Sequence, residues 1–189
     1  MRGQLLPDER KFLYDAVVMA KPKLVLEVGT WCGGGSTLQI AEALLFNGFG
    51  RLITCEIDVD LYSEAFGIYN CEKWAGVVEC RNVDSSSLIS ELIAGGDIPD
   101  FLFFDGPEDP DLNLKDLLLL EGHLAVGSYF CAHDWDLGVR VDGGVSVKSR
   151  LVRPYVEGSG GWDVVGGLTY PVSVGIVLAR YRGVNSGCV

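Results

Sequence analysis

Acidic side chains recur where short apolar segments of the chain end. The residues concerned are Glu27, Glu56, Asp84, Asp105 and the adjacent pair His133 and Asp134. A carboxylate can accept two hydrogen bonds at once or pair with a cation, and a histidine can exchange a proton near neutral pH. A solvated loop carboxylate explains any one of these positions, but it explains their recurrence poorly. We therefore expect these side chains to meet in one binding site.

A glycine-rich turn follows the first of these acids. Gly29, Gly33 and Gly35 have the spacing G-x-x-x-G-x-G, which differs from the G-x-G-x-x-G of dinucleotide-binding folds. Glycines let the backbone approach a ligand closely, and a helix predicted from Ser36 would present free N–H groups. Glu27, before the turn, would repel a pyrophosphate but suits a cation. This charge argues against a nicotinamide cofactor.

Apolar segments of strand length alternate with helical patterns along the chain. The predicted strands are residues 23–28, 52–55, 77–80, 101–104, 124–132, 162–168 and 173–181, and the predicted helices are residues 8–20, 36–46, 60–69, 86–94, 112–121 and 147–153, the last ended by Pro154. Nearly continuous apolar strands between helices are typical of a parallel sheet covered on both faces. We predict an α/β fold with a doubly wound, mostly parallel seven-stranded sheet and a C-terminal antiparallel hairpin. Ligands bind such sheets at the carboxyl ends of the strands.

Length and composition restrict the class of protein. The 189 residues, 48% of them hydrophobic, fit a single domain with an N-terminal helical segment in residues 1–22 and a frayed tail in residues 183–189. Without a membrane-spanning apolar run or a signal peptide, a cytoplasmic protein is expected. A net charge of −11 disfavours nucleic acid and anionic membrane as partners. The six cysteines contain no C-x-x-C pair and are expected to be reduced.

The segments VLEVGT and GGGSTL, residues 25–30 and 33–38, resemble the first motif of class I S-adenosylmethionine-dependent methyltransferases. The similarity is greatest to the small O-methyltransferase branch, which commonly shows E-x-G-T-x-x-G-x-S-T. This chain has one extra residue among the three consecutive glycines 33–35. In the order of its elements, the resemblance extends over roughly residues 23–182.

The resemblance implies roles for individual residues in binding S-adenosyl-L-methionine. The turn and the strand before it would supply Glu27, Gly29, Thr30, Gly33, Gly35 and Ser36. Glu56 matches the acid that binds both ribose hydroxyls. Asp84 matches the acid that binds the adenine amino group, with the backbone N–H of Ser85 facing the ring, and it could also cap the following helix. Asp105 matches an acid at the end of the fourth strand.

In metal-dependent members of that branch, the acid at the position of Asp105 is a metal ligand, together with an Asp-Asn pair after the fifth strand. The corresponding pair here is His133 and Asp134. Asp105, His133 and Asp134 could accordingly hold a divalent ion such as magnesium. Alternatively, His133 is a catalytic base with Asp134 as its orienting carboxylate, or a structural histidine at the strand end. His123 is expected to be structural.

The resemblance implies transfer of a methyl group to a hydroxyl of a small-molecule substrate. Trp31, Trp135 and Tyr170 are candidates to wall an apolar acceptor, although aromatic residues more often serve packing. A homodimer could complete the site, because the segment before the first strand is short. Two alternatives stay open: a methyltransferase-fold protein that does other chemistry or none, and, less favoured, a nicotinamide-dependent oxidoreductase.

Overall fold

The computed structural model describes residues 4–136, 147–169 and 171–183. The helices in these residues are α1 (Pro7–Ala20), α2 (Ser36–Asn47), α3 (Val59–Tyr69), α4 (Ser85–Gly95), α5 (Pro110–Glu121) and α6 (Val152–Gly158), with a short 3-10 helix at Glu72–Trp74. The strands are β1 (Leu24–Val28), β2 (Arg51–Cys55), β3 (Val78–Arg81), β4 (Phe101–Phe104), β5 (Tyr129–His133), β6 (Trp162–Leu168) and β7 (Ile176–Tyr181). Tyr170 and residues 184–189 of the predicted tail lie outside the described residues.

The seven strands form one sheet in the order β3-β2-β1-β4-β5-β7-β6. The first five of these strands pair in parallel, whereas β7 runs antiparallel to both β5 and β6. The order reverses between β1 and β4, which is where doubly wound sheets bind their ligands. The predicted fold class, including the C-terminal antiparallel hairpin, is confirmed.

Strand β4 shows why the strands are apolar without interruption. Its four side chains are all buried, and they alternate between two cores on opposite faces of the sheet. Phe101 and Phe103 pack in the core beside α1 and α2. Leu102 and Phe104 pack in the core beside α4 and α5. Because helices cover both faces, neither face of the strand tolerates a polar residue.

Acidic residues fix where several helices begin. Asp58 accepts hydrogen bonds from the first-turn amides of α3, and Asp84 accepts one from the amide of Ser87 in α4. Asp109 caps α5 in the same way. Side chains of this kind satisfy amides that have no partner inside the helix. Asp84 is therefore a helix cap, as its position before the three serines predicts.

Two predicted elements begin five residues later than expected. The helix expected over residues 147–153 is α6 at Val152–Gly158, with Pro154 inside its first turn rather than after its end. A proline is tolerated in the first turn because its missing N–H would have no partner there. The strand expected from residue 124 begins only at Tyr129, because the chain turns at Gly127, whose φ is +99°.

Among the described residues, no helix has both the length and the apolar character needed to span a membrane.

Candidate active site

A cleft opens beside the carboxyl ends of β1, β2 and β4. Its volume is about 380 Å³, within the range of about 300–1,000 Å³ that is typical of small-molecule sites. Eight of the residues predicted to bind the cofactor line it: Gly29, Thr30, Gly35, Ser36, Glu56, Asp84, Ser85 and Asp105. The fold therefore brings together residues that are spread over 77 positions of the chain, from 29 to 105.

Glu27 lies inside the sheet, and its side chain is fully buried. The Oε2 atom accepts hydrogen bonds of 2.7 Å from the hydroxyls of Thr37 and Thr54. The Oε1 atom has no hydrogen-bond partner among the described residues. Burial raises the pKa of Glu27 to about 7, although hydrogen bonds from hydroxyl groups act in the opposite direction. A buried oxygen without a partner is costly, so this carboxyl group is suited to a ligand that brings a donor.

The turn after β1 is held by a close backbone contact. Gly29 has a φ of +98°, and a Cβ atom there would lie 2.7 Å from the Cα atom of Gly106. Only glycine combines this conformation with this contact. Gly33, by contrast, is not among the residues that line the cleft. It faces α3, where its carbonyl accepts a hydrogen bond from the Tyr69 hydroxyl.

Glu56 at the end of β2 is oriented by two backbone amides. Its Oε2 atom accepts a hydrogen bond of 2.9 Å from the N–H of Trp31, and its Oε1 atom accepts one of 3.0 Å from the N–H of Asp58. Each carboxylate oxygen can accept more than one hydrogen bond. The side chain is thus fixed at the cleft and retains acceptor capacity for a ligand.

The residues after β3 are arranged differently. Asp84 is exposed at the cleft, and its hydrogen bond with Ser87 lowers the pKa of its carboxyl group. The hydroxyl of Ser85 donates to Asp116 on α5, so that hydroxyl is already engaged. What Asp84 and Ser85 can offer a ligand is therefore a charged carboxylate and a backbone amide.

The ligand atoms of Asp105, His133 and Asp134 lie within 4.8 Å of one another. This grouping is the one predicted from the sequence. The Nδ1 atom of His133 lies 3.3 Å from the Oδ1 atom of Asp105 and 3.9 Å from that of Asp134. Three oxygen and nitrogen ligands at such separations are compatible with a divalent ion.

Two residues that the sequence analysis missed complete this cluster. The Oε2 atom of Glu9, on α1, lies 3.1 Å from the Nε2 atom of His133. The Nζ atom of Lys148 lies 2.9 Å from Asp105 Oδ1 and 3.3 Å from Asp134 Oδ2. Neither residue belongs to a motif. Nothing in the sequence around Glu9 or Lys148 indicates that it lies beside His133 or Asp105.

His133 is enclosed by carboxylates and is only 5% exposed. Burial alone would lower the pKa of its imidazole, but Asp105, Glu9 and Asp134 outweigh burial and raise that pKa to about 10. His133 lines a small inner cavity rather than the cleft. A base must be neutral and must reach the acceptor. His133 therefore does not reach the cleft directly, with Asp134 buried beside it, and its role as a base stays a prediction.

Of the three aromatic candidates, Trp31 lines the cleft. Trp135 is buried and packs edge-to-face against Phe130, with ring centroids 6.4 Å apart. It belongs to the core and not to the wall of the cleft. Tyr170 lies outside the described residues. His123 is exposed after α5 and is not among the residues that line the cleft.

Solved structures share this fold at low sequence identity. The O-methyltransferase TomG from Streptomyces achromogenes, solved with S-adenosylmethionine, superposes with a TM-score of 0.74 at 20% identity over 95% of this chain and 82% of its own. An O-methyltransferase from Bacillus cereus, solved with S-adenosylhomocysteine, gives 0.72 at 18% identity over 94% and 82%. A methyltransferase from Geobacter sulfurreducens gives 0.71 at 19% identity over 95% and 80%.

No curated protein sequence shows significant similarity to the chain. A family model described as a methyltransferase domain matches residues 26–135, which contain most of β1, all of β2 to β5 and every residue predicted to bind the cofactor or a metal. The match confirms the resemblance seen in the first motif. The chain belongs to the methyltransferase domain family.

Proposed function

We propose that this chain transfers a methyl group from S-adenosylmethionine to a hydroxyl group of a small molecule. The observation that carries the proposal is the buried carboxyl group of Glu27, one oxygen of which has no hydrogen-bond partner among the described residues, on the strand that leads into a cleft lined by acids that follow successive strands. S-adenosylmethionine has an amino group, a sulfonium, two ribose hydroxyls and an adenine amino group. These are donors and cations, which is what such acids accept. Membership of the methyltransferase domain family and a fold shared with proteins solved with this cofactor support the same ligand.

The residues present fit the cofactor from one end of the cleft to the other. Glu27 would pair with the amino group through Oε1, and the backbone at Gly29 would lie against the methionine part. The amides at the start of α2 have no side-chain cap, since Gly35 is the N-cap residue. A carboxylate is a suitable partner for such amides. Glu56 would bind the ribose hydroxyls, and Asp84 with the N–H of Ser85 would bind adenine.

When bound, S-adenosylmethionine supplies an electrophilic methyl group: a carbon–oxygen bond forms as the carbon–sulfur bond breaks with its electron pair kept on sulfur, and the hydroxyl proton passes to solvent. The protein's part in such a transfer is mainly to hold the reacting atoms in line. Trp31 and Asp105 line the same cleft and would limit where the acceptor can lie.

Isothermal titration calorimetry with S-adenosylhomocysteine tests the proposal. We expect the chain to bind this product and not to bind NADH. Replacing Glu56 by Ala should weaken binding at least about tenfold, because hydrogen bonds to a charged group contribute about 1.5–3 kcal/mol each. Glu79→Ala is the matched control, since Glu79 is a half-exposed acid on β3 that pairs with Arg51 and Arg81.

Two outcomes would count against the proposal. Failure of the wild-type chain to bind S-adenosylhomocysteine would remove its basis. Unchanged affinity in Glu56→Ala would show that the ribose assignment is wrong. Binding without methyl transfer to hydroxyl acceptors would instead favour a cofactor-binding protein with other chemistry.

A further inference from the structure

Lys148 occupies an unusual position for a lysine. Its side chain is only 9% exposed, yet it is one of the residues that line the cleft. The Nζ atom lies 2.9 Å from Asp105 Oδ1, 3.3 Å from Asp134 Oδ2, 3.6 Å from Glu108 Oε1 and 3.2 Å from the carbonyl oxygen of Asp105. The ammonium group thus lies between the two carboxylates that would be the oxygen ligands of a metal.

A divalent ion would have to share this space with Lys148. Two cations a few ångströms apart repel each other strongly in a buried site. The same oxygen atom of Asp105 that would bind the ion is already hydrogen-bonded to Lys148 and faces His133. Occupation by a metal would therefore require the ammonium group to leave a buried position with four oxygen neighbours.

His133 also fits a metal poorly. Its Nδ1 atom faces Asp105 and its Nε2 atom faces Glu9, so both ring nitrogens are directed at carboxylates. A metal could bind either nitrogen only in place of one of these contacts. Of the three candidate ligands, the histidine faces two carboxylates, and the two carboxylates already contact Lys148.

We propose that the ammonium group of Lys148 takes the place of the divalent ion between Asp105 and Asp134, so that this chain needs no metal at its active site. The inference rests on the proposed function in one respect only. In the proposed methyl transfer, the cation that faces the methyl acceptor in the cleft is the ammonium group of Lys148. An ammonium group donates to a single oxygen, whereas a metal ion can bind two oxygens of one acceptor. We therefore expect the site to bind methyl acceptors whose reacting hydroxyl group has no neighbouring oxygen atom.

Titration with Mn²⁺ tests the inference without any acceptor. Free Mn²⁺ has an electron paramagnetic resonance signal that disappears on binding, so bound metal can be counted in the wild-type chain. We expect no loss of signal at about 1 mM metal, which corresponds to a dissociation constant weaker than about 1 mM. One tightly bound Mn²⁺ per wild-type chain, abolished in Asp134→Asn, would overturn the inference.

The variant Lys148→Met tests whether Asp105 and Asp134 bind a metal ion once the lysine is removed. It keeps a long side chain and removes the cation, so Asp105 and Asp134 lose their shared partner. We expect this variant to bind one Mn²⁺ at least about tenfold more tightly than the wild type, and Lys148→Met with Asp134→Asn to lose that binding. If a folded Lys148→Met variant, verified by circular dichroism, binds Mn²⁺ no better than the wild type, the two carboxylates are not a cation site and the inference fails. Lys115→Met, on α5, is the control for removal of a lysine.

Titration with S-adenosylhomocysteine on the same samples separates this inference from the proposed function. Loss of S-adenosylhomocysteine binding in the wild type would remove the proposed function and leave the cation assignment standing. Tight Mn²⁺ binding by the wild type, together with normal S-adenosylhomocysteine binding, would overturn the cation assignment and leave the proposed function standing.

Discussion

The Oε2 atom of Glu9 lies 3.1 Å from the Nε2 atom of His133, although the two residues are 124 positions apart. Glu9 is fully buried, and its second oxygen accepts a hydrogen bond of 2.6 Å from the hydroxyl of Ser173. The first helix is thereby joined to β5 and to the segment before β7. This contact makes α1 part of the environment of the candidate active site.

We expect Glu9→Gln to destabilise the protein by about 3 kcal/mol, because removing one partner of a buried ion pair leaves the other charge uncompensated. Chemical denaturation at pH 7 measures the change. Asp15→Asn is the matched control on the same helix, since the Lys11–Asp15 pair is exposed. Such surface pairs contribute at most about 1 kcal/mol. Equal effects of the two substitutions would show that Glu9 does not pair with a charged His133.

Stability should fall as the pH rises from about 7 towards 10. The pKa of His133 is raised from 6.5 to about 10 in the folded chain, so its contribution is complete below pH 6.5 and is lost as the pH approaches 10. Over that interval the folded state binds more protons than the unfolded state, which makes the slope of stability against pH negative. Denaturation at pH 6, 8 and 10 should show a clearly shallower slope for His133→Asn than for the wild type. Parallel slopes would mean that His133 is neutral in the folded protein.

Glu27→Gln should separate stability from ligand binding. Because burial raises the pKa of Glu27 to about 7, ionisation of this carboxyl opposes folding above that pH. At pH 8 the ligand-free variant should therefore melt a few degrees higher than the wild type, but bind S-adenosylhomocysteine at least about tenfold more weakly, as expected when a charged hydrogen bond is lost. Glu42→Gln, which removes a half-exposed acid of α2, should change neither quantity. Full affinity in Glu27→Gln would exclude the proposed contact with the amino group.

Affinity for S-adenosylhomocysteine should also increase as the pH rises through 7, because the ligand's ammonium group pairs with the ionised carboxylate. At pH 6 the Glu27 carboxyl is mostly protonated, so binding there should release a proton. Calorimetry in buffers of different ionisation enthalpy measures this release. No proton release in the wild type, or the same release in Glu27→Gln, would assign the titration to another group.

Gly29→Ala should be severely destabilising. Its φ of +98° is unfavourable for alanine, and the new Cβ atom would meet the backbone of Gly106 at 2.7 Å, where no flexible side chain can move aside. Gly48→Ala is the matched control, since Gly48 has a φ of +75° and no atom of the described residues would lie within 4 Å of its Cβ atom. We expect a cost of about 1–2 kcal/mol for Gly48→Ala and a distinctly larger cost for Gly29→Ala, measured by denaturation. Similar costs for the two substitutions would show that the turn after β1 and the residues after β4 can move apart to make room for the Cβ atom.

The sequence was most informative where the chemistry is local. Apolar segments covered on both faces predicted the sheet, and the first motif together with the acids at the strand ends predicted eight of the residues that line the cleft. A helix cap was one of the two roles predicted for Asp84, and the structure shows it, because an acid just before a helix needs no distant contact to cap it. Gly33 was assigned to the cleft from its motif, but it contacts Tyr69 on α3 and is not among the residues that line the cleft.

What the sequence did not show depends on contacts between distant segments. Glu9 and Lys148 look like surface charges of a helix and a loop, and only the folded chain places them against His133 and Asp105. Their positions add two charged neighbours to the predicted cluster of Asp105, His133 and Asp134. Trp135 illustrates the same limit, because an aromatic residue after a strand packs in the core or faces a ligand depending on the path of the chain beyond it.

The hydrogen bond between the Trp31 amide and Glu56 has an optical consequence. Trp31 is half-buried at the cleft, whereas the other three tryptophans, Trp74, Trp135 and Trp162, are buried. Because Trp31 also lines the cleft, we expect a ligand there to change the surroundings of one indole while the other three stay buried. Intrinsic fluorescence should then report occupancy of the cleft without a label.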